Sequence, residues 1–153
     1  MANTVEYDIQ DSLGMLLDVG SQFYRFVLNR KLMPRGITVE QWKILIVLWD
    51  QEKLTQQELA NRTCKNKVSV VKLIDGLERR EMVVRKLDPA DRRLKRIVLT
   101  EKGRALQTEL IALAKLNLKQ AARNIDPTDM VVCKDVLRQV IRNMQELVDE
   151  NPG

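Results

Sequence analysis

The sequence predicts a mainly α-helical fold with one small β-hairpin, and three observations support that prediction. Apolar residues recur at spacings of three and four along most of the 153 residues, as they do on amphipathic helices. Two short runs rich in β-forming residues lie close together after the middle of the chain, on either side of a turn sequence. Apolar residues make up 44% and charged residues 31% of the chain, proportions typical of a folded domain with a buried core.

The first predicted helix runs from about Tyr7 to Met33. Pro34 and Gly36 end it, because proline disfavours helical geometry in the preceding residue and glycine permits a turn. Its apolar residues form one helical stripe: Ile9, Leu13, Leu16, Leu17, Phe23, Tyr24, Val27 and Leu28.

Two capping boxes begin the next two helices. In the first box, Thr38 and Gln41 precede a segment, residues 42–49, that is apolar nearly all round and is therefore expected to be buried. In the second box, Thr55 and Glu58 open a short helix. A polar turn at residues 61–65 then leads into a helix over about residues 66–81. A short helix, a brief turn and a helix with a polar N-terminal part form the arrangement of a helix-turn-helix motif.

The β-forming runs, residues 82–87 and 94–99, predict a hairpin directly after this motif. The segment Asp88-Pro89 starts the turn between them, and the turn carries Arg92 and Arg93. A hairpin with a basic tip after a helix-turn-helix motif predicts a winged helix-turn-helix domain.

Two more helices are predicted after the wing. Thr100 can cap a helix that runs to about Asn124, and Asp126 with Pro127 begins the last helix as N-cap and first helical residue. The last helix has one apolar stripe: Met130, Cys133, Leu137, Val140, Ile141, Met144 and Val148.

Charge is unevenly distributed along the chain. Residues 62–104 hold 14 Lys and Arg against 6 Asp and Glu, whereas the remainder holds 12 basic and 15 acidic residues. One basic segment in a mildly acidic chain is the footprint of a nucleic-acid-binding element, although a solvated charged face explains charge alone equally well.

The residue inventory disfavours other functions. The chain has no histidine and two cysteines, Cys64 and Cys133, and it has no phosphate-binding glycine loop or nucleophile motif. We therefore expect no catalytic residues, no metal site and no cofactor. The polar N-terminus resembles no export signal, and no apolar run approaches the roughly 18 residues that span a bilayer, so we expect a cytoplasmic protein that does not bind membranes.

The segment Asp88-Pro-Ala-Asp-Arg-Arg-Leu-Lys-Arg-Ile-Val-Leu-Thr-Glu-Lys-Gly-Arg104 resembles the wing-and-helix signature of the MarR family of transcription regulators. That family has an Asp-x-Arg element at the hairpin tip, then strand residues, then Leu-Thr-x-x-Gly. Residues 75–83 are similar to the end of its recognition helix, and residues 38–49 and 55–60 to its second and third helices. Glu81 stands where the family commonly has a small turn residue, often Gly, so the turn into the wing is expected to differ locally.

The resemblance implies a homodimer whose first and last helices, with part of the fifth, intertwine between subunits. It divides the chain into an N-terminal dimerisation helix (1–36), a winged helix-turn-helix DNA-binding region (37–100) and C-terminal helices of the dimer interface (101–153). The apolar stripes of the terminal helices support a dimer independently, since oligomerisation commonly buries such stripes. Packing within one chain is the alternative.

The expected partner is double-stranded DNA with a near-palindromic operator, because a helix-turn-helix dimer reads two major grooves about 34–36 Å apart. Four residues at the start of the recognition helix are candidate contacts to phosphates or bases, the first of them mainly an N-cap: Asn66, Lys67, Ser69 and Lys72. The wing arginines are expected at the minor groove, and the resemblance implies that Asp91 holds the wing tip by pairing with an arginine. Basic residues on the hairpin arms are further candidates, of which alternation leaves some merely solvated: Arg85, Lys86, Lys95 and Arg96.

Many members of the family are released from DNA by small aromatic acids or phenols, so the resemblance implies a repressor with an effector of this kind. Candidate ligand contacts are Tyr24, Arg25 and Trp42, with core packing as the alternative for the two aromatic residues. Two other functions stay open for the same fold. Cys64, just before the recognition helix, could make the protein a redox-sensing regulator. The winged domain could also serve as a protein-interaction module.

Overall fold

The computed structural model describes residues 8–150 and confirms a mainly helical fold with a small antiparallel sheet. A short 3-10 turn, Met33–Arg35, follows the first helix. In chain order the elements are α1 (Leu13–Leu32), α2 (Val39–Asp50), β1 (Leu54–Thr55), α3 (Gln56–Thr63), α4 (Lys67–Arg79), β2 (Val83–Leu87), β3 (Lys95–Leu99), α5 (Glu101–Ala105), α6 (Gln107–Ala121) and α7 (Pro127–Glu150).

Helix α1 begins later than the apolar pattern predicts. Tyr7 lies outside the described residues, and the helix starts at Leu13, where the Ser12 hydroxyl accepts a hydrogen bond from the Met15 backbone N–H (3.2 Å). This side-chain cap satisfies a free N–H group of the first turn, so it sets the boundary that periodicity alone misplaces. The end agrees with the prediction, since Gly36 adopts a left-handed φ of 68°.

Both predicted capping boxes are confirmed. The Thr38 and Thr55 hydroxyls accept from the backbone N–H groups of Gln41 (3.1 Å) and Glu58 (3.2 Å), and each partner side chain accepts from the N-cap backbone in return. Helix α3 runs further than expected, because residues 61–63 are helical rather than part of the turn. The turn is instead confined to a few residues around Cys64, whose φ is 52°.

The sheet contains one strand that the sequence does not predict. Strand β3 lies in the middle and pairs antiparallel with β2 on one side and with the two-residue β1 on the other. Leu54 lies opposite Ile97 in the β1 pairing, and Arg85 lies opposite the same residue in the β2 pairing. Two residues are too short for alternation to identify a strand, so β1 is visible only once β3 lies beside it.

The predicted helix from Thr100 to Asn124 is divided at Leu106 into α5 and α6. The Trp49 indole N–H donates to the Gly103 carbonyl (3.1 Å), which is the carbonyl that an unbroken helix would offer to Gln107. Gly103 also lies against the chain at Met82, where a Cβ atom would fall 2.1 Å from the Met82 carbonyl oxygen. Contact with the rest of the domain therefore interrupts the helix and requires a glycine at this point.

The chain divides into two compact units, the first ending at Asn117 and the second beginning at Leu118. The first contains one apolar core, which α1, α2, α3, α4, α6 and the sheet share; its largest fully buried side chains are Leu32, Ile37, Ile44, Leu45, Leu48, Leu59, Ile74, Leu77, Ile97 and Leu110. Division at residues 36 and 100 stays a prediction. Among residues 8–150, no helix combines the length and apolarity needed to cross a bilayer.

The second unit holds α7, whose predicted start is confirmed: the Asp126 carboxylate accepts from the Thr128 N–H (2.7 Å) and Pro127 is the first helical residue. None of its described side chains is buried within the single chain. Cys133, expected to pack on an apolar stripe, is exposed as well. Several residues of the stripe are likewise exposed, among them Ile141, Met144 and Val148.

Candidate DNA-binding surface

The start of α4 exposes the polar residues that the sequence singles out. The Asn66 carboxamide accepts from the Ser69 N–H (2.8 Å), which makes Asn66 the N-cap of α4 and occupies its side-chain oxygen. Lys67 and Lys72 are exposed, while Ser69 is half-buried. On the opposite face Val70, Ile74 and Leu77 are buried, and they attach the helix to the core. The surface of α4 that faces solvent is therefore cationic along its N-terminal half.

Val68 belongs to the same exposed surface, and sequence reasoning missed it. Its side chain is 67% exposed, and it lies one helical turn before Lys72. An exposed valine at the start of such a helix has the right chemistry to contact a thymine methyl group. The sequence did contain a signal for its exposure. Val70, Ile74 and Leu77 recur at helical spacing and form the buried stripe, and Val68 does not fall on that stripe.

The wing tip is held by two aspartates. Asp88 accepts from the N–H groups of Ala90 (2.7 Å) and Asp91 (2.9 Å), and its other oxygen accepts from Arg96. The hydrogen bond from Arg96 is the main reason that the pKa of Asp88 lies below its ordinary value. The side chain of Asp88 is buried, so the loop is built around a charged carboxylate whose two oxygens both accept hydrogen bonds.

Asp91 pairs with Arg93 across the tip, as the resemblance implied. The Arg93 Nε and Nη2 atoms donate to the two Asp91 oxygens at 3.0 and 3.2 Å, and the Arg93 backbone N–H donates at 3.0 Å. These bonds lower the pKa of Asp91. The Arg93 side chain remains 90% exposed, so the pairing orients the guanidinium and still leaves three of its five N–H groups free for another partner.

A shallow groove of about 220 Å³ brings together residues from three elements. It places Lys67 of α4 beside Arg93 and Lys95 of the wing, and the N-terminus of α3 forms its third side. The remaining lining residues are Thr55, Gln56, Gln57 and Leu94. Gln57 is an exposed polar residue that the sequence analysis did not single out. Arg92 is exposed on the same loop but does not line this groove.

Arg85, a candidate DNA contact, is occupied within the domain. Its side chain is only 17% exposed; it forms ion pairs with Asp75 (2.5 Å) and Glu78, and it donates twice to Gln56 at 3.2 Å. These partners belong to α4 and α3, so Arg85 ties strand β2 to both helices of the helix-turn-helix motif. Arg85 therefore holds the wing against both helices within the domain, and its role as a DNA contact stays a prediction.

Arg96 is engaged in a comparable way on β3, where it binds Asp88, Glu58 (3.4 Å) and the Lys53 carbonyl (3.0 Å).

Glu81, the unusual residue before the wing, adopts a φ of 59°, a conformation that glycine adopts without strain. The Thr100 hydroxyl donates to the Glu81 carbonyl (2.6 Å) and helps to hold this turn.

The three candidate effector contacts are not brought together. Trp42 is buried and packs edge-to-face on Trp49, with ring centroids 5.7 Å apart, and Tyr24 is half-buried against the core. Of the three candidates, only Arg25 lines the groove of about 410 Å³ between α1 and α2, where it lies beside Phe26 and Glu40. The two aromatic side chains thus follow the core-packing alternative, and Arg25 stays a candidate.

Glu40 is the counter-ion in this α1–α2 groove. It pairs with Arg25, with Lys65 just before α4, and with Lys43 at 3.8 Å. Burial opposes the charged form, but the bond from Lys65 and the nearby cations outweigh it, so the pKa of Glu40 lies below its ordinary value.

Cys64 is exposed in the turn next to Lys65. Within residues 8–150, no group of three or more acidic or cysteine side chains could hold a metal.

Comparisons with known proteins agree with this geometry. The model of the MarR family matches residues 37–95. The HTH-type transcriptional repressor NicR of Pseudomonas putida is 27% identical over 147 residues, which cover 96% of this chain and 90% of that protein. A transcriptional regulator of the MarR family from Rhodococcus sp. RHA1 has a crystal structure with a TM-score of 0.79 and 30% identity, over 87% of this chain and 94% of that one.

A third match is the Bordetella bronchiseptica protein BpsR, whose structure describes regulation of DNA binding by 6-hydroxynicotinic acid. Its TM-score is 0.82 at 25% identity, over 88% of this chain and 96% of that one. NicR and the Rhodococcus protein are transcription regulators, and BpsR is a protein whose DNA binding is regulated. On the strength of the wing geometry, the family match over residues 37–95 and the 30% identity to the Rhodococcus MarR-family protein over 94% of its length, the chain belongs to the MarR family of transcription regulators.

Proposed function

We propose that this regulator is a homodimeric repressor that binds a near-palindromic DNA operator and is released by a small aromatic anion. The groove between α3, α4 and the wing carries the DNA-binding part of the proposal. There Lys67, Arg93 and Lys95 converge from two elements, and no carboxylate lines that groove. Such convergence suits a phosphate backbone that runs between a major groove holding α4 and a minor groove holding the wing tip.

The exposed faces of α1 and α7 support the dimer. Large apolar side chains along α1 are exposed in the single chain, including Phe23 (68%) and Phe26 (61%), and those along α7 include Ile141 (65%) and Val148 (61%). Apolar surface of this extent on two long helices fits an interface with a second copy. We expect a particle of twice 17.7 kDa in light scattering, and dissociation in Ile141→Glu but not in the exposed polar control Asn143→Asp.

The α1–α2 groove supports the effector part of the proposal. Arg25 can pair with a carboxylate there, and BpsR provides a relative whose DNA binding responds to an aromatic acid. A ligand carboxylate would compete with Glu40 for Arg25, and Glu40 also binds Lys65 beside the recognition helix. Adding 6-hydroxynicotinate is expected to weaken DNA binding by the parent protein and to have less effect on Arg25→Gln.

The decisive experiment is a fluorescence-anisotropy titration against the duplex upstream of the protein's own gene, at several salt concentrations, with an unrelated duplex as control. Six phosphate contacts would give a salt slope of about −5. Tighter binding to the upstream duplex together with a steep slope supports the proposal. Equally weak binding to both duplexes, followed by no enriched sequence in selection from random DNA, would contradict sequence-specific DNA binding.

A further inference from the structure

A third groove, separate from the α1–α2 groove and from the groove of the DNA-binding surface, lies at the base of the wing. It has a volume of about 560 Å³, within the range of small-molecule sites. Its walls come from the segment between α2 and β1, from α3 and from both strands of the wing. We call it the wing-base groove, and its lining residues are Gln51, Glu52, Lys53, Leu54, Glu58, Lys86, Leu87, Asp88, Pro89, Arg96 and Val98.

The carboxylates of this groove already have partners. Glu52 forms two hydrogen bonds with Arg104, at 2.9 and 2.7 Å. Glu58 and Asp88 both bind Arg96. In the part of the chain that the structure describes, Lys53 and Lys86 form no ion pair. Among the described residues that line the groove, the cations left without an ion-pair partner are therefore Lys53, just before β1, and Lys86, on β2.

The rest of the lining is apolar. Leu54 is buried beneath the groove, and Pro89 and Val98 line it from the wing. Leu87 is 59% exposed at the end of β2, where a leucine gains nothing from facing water. A lining that combines two lysines with apolar side chains suits a molecule with an apolar body and one anionic group.

Lys53 is held rigidly at the edge of the groove. Its φ is 63°, a left-handed conformation that is uncommon for residues other than glycine. The Lys53 N–H donates to the Ile97 carbonyl (3.1 Å), and its own carbonyl accepts from Arg96 (3.0 Å). Strained residues that neighbouring elements hold in place occur often at ligand sites.

We propose that the wing-base groove binds a small amphipathic organic anion, with its carboxylate between Lys53 and Lys86 and its apolar body against Leu54, Leu87 and Val98. A ligand seated there contacts both the helical body and the wing, so its binding restricts the wing relative to α3. The site does not depend on the α1–α2 groove or on the effector assigned to it.

The test uses methyl NMR spectra of the full chain titrated with naphthalene-2-carboxylate, and with the neutral naphthalene-2-methanol as the matched ligand. We expect saturable shifts at the Leu54, Leu87 and Val98 methyl groups, and binding about fivefold weaker for the alcohol. Lys53→Gln and Lys86→Gln should each weaken carboxylate binding several-fold, whereas the control Lys115→Gln, on α6, should not.

Three results would overturn the proposal: shifts confined to Val39 of the α1–α2 groove, shifts confined to the α7 methyl groups, or equal affinity for the carboxylate and the alcohol. The first result would locate binding in the groove of the proposed effector, and the second would indicate adventitious binding to an apolar face. Because the readout needs no DNA, failure here leaves the proposed repressor function untouched, and the reverse also holds.

Discussion

Replacing Arg85 or Arg93 with alanine is expected to have opposite consequences, although both arginines lie in the wing. The Arg85 side chain is 17% exposed, and its guanidinium pairs with both Asp75 and Glu78. Arg85→Ala leaves these two carboxylates near each other without a counter-ion. Breaking a buried ion pair costs about 3–5 kcal/mol, but the two carboxylates are 43% and 39% exposed and regain water, so we expect a loss of about 2 kcal/mol.

Arg93 is 90% exposed, so Arg93→Ala should leave the free energy of unfolding unchanged. Its effect should instead fall on DNA binding. Losing one phosphate contact reduces the magnitude of the salt slope by about 0.9. Arg85→Ala, with no guanidinium at the DNA, should weaken binding through a misplaced wing and keep the parental slope.

Urea unfolding at a fixed protomer concentration measures the first quantity, and DNA anisotropy at four salt concentrations measures the second. Fixing the concentration matters because unfolding of the proposed dimer would depend on it. Lys86→Ala, exposed next to Arg85 on β2, is the control and should unfold within about 0.5 kcal/mol of the parent. Parental stability together with a reduced slope in Arg85→Ala would refute the positioning role and restore Arg85 as a DNA contact.

Three further predictions follow from local geometry. Asn66→Asp should keep the cap of α4 and the stability of the protein, but it should weaken DNA binding at least fivefold by placing a negative charge near phosphate. The control Asn66→Ser should keep the cap, the stability and the DNA affinity. Equal DNA affinity for the two variants would show that Asn66 does not lie at the DNA interface. Glu81→Gly should raise the free energy of unfolding by about 1 kcal/mol because it relieves a left-handed conformation, and the control Glu81→Ala should give no gain in urea unfolding. Because the pKa values of Asp88 and Asp91 are lowered, the wing-tip hydrogen bonds should be intact above the ordinary aspartate pKa of about 3.9 and should be lost as the pH falls further. NMR shifts of the Ala90 and Asp91 amides, which donate to Asp88, report this loss. Spectra of Asp88→Asn that show the same bonds and the same pH response would contradict the prediction.

Local chemistry explains which parts of the fold the sequence predicts well. Thr38, Thr55 and Asn66 each cap a helix through a backbone N–H only three residues away. Such a bond depends on nothing beyond its own segment, so the residue types suffice to place it. The Asp91–Arg93 pair spans two residues and is equally local. The MarR signature lies in the same short segment, which is why the family could be identified before any fold was known.

Tertiary contacts decided the features that the sequence left open or misplaced. The partners of Arg85 include Gln56, 29 residues earlier, and the Trp49 indole that interrupts the helix at Leu106 binds a carbonyl 54 residues later. The alternating pattern of a strand cannot distinguish Arg85 from a solvated arginine. Both occupy an outward-facing position on the strand, and only the packing of another element against that position shows which one is paired.

The sequence by itself therefore determined the order of the predicted helices and of the two wing strands, the caps of α2, α3 and α4, and the basic character of the helix-turn-helix and wing. Only the tertiary structure decided which cations face outward together, as Lys67, Arg93 and Lys95 do, and which are used to hold the wing, as Arg85 and Arg96 are. The physical reason is the separation of the interacting groups along the chain. A capping hydrogen bond joins residues three positions apart, whereas the ion-pair partner of an arginine can lie at any distance in sequence and becomes known only from the folded structure.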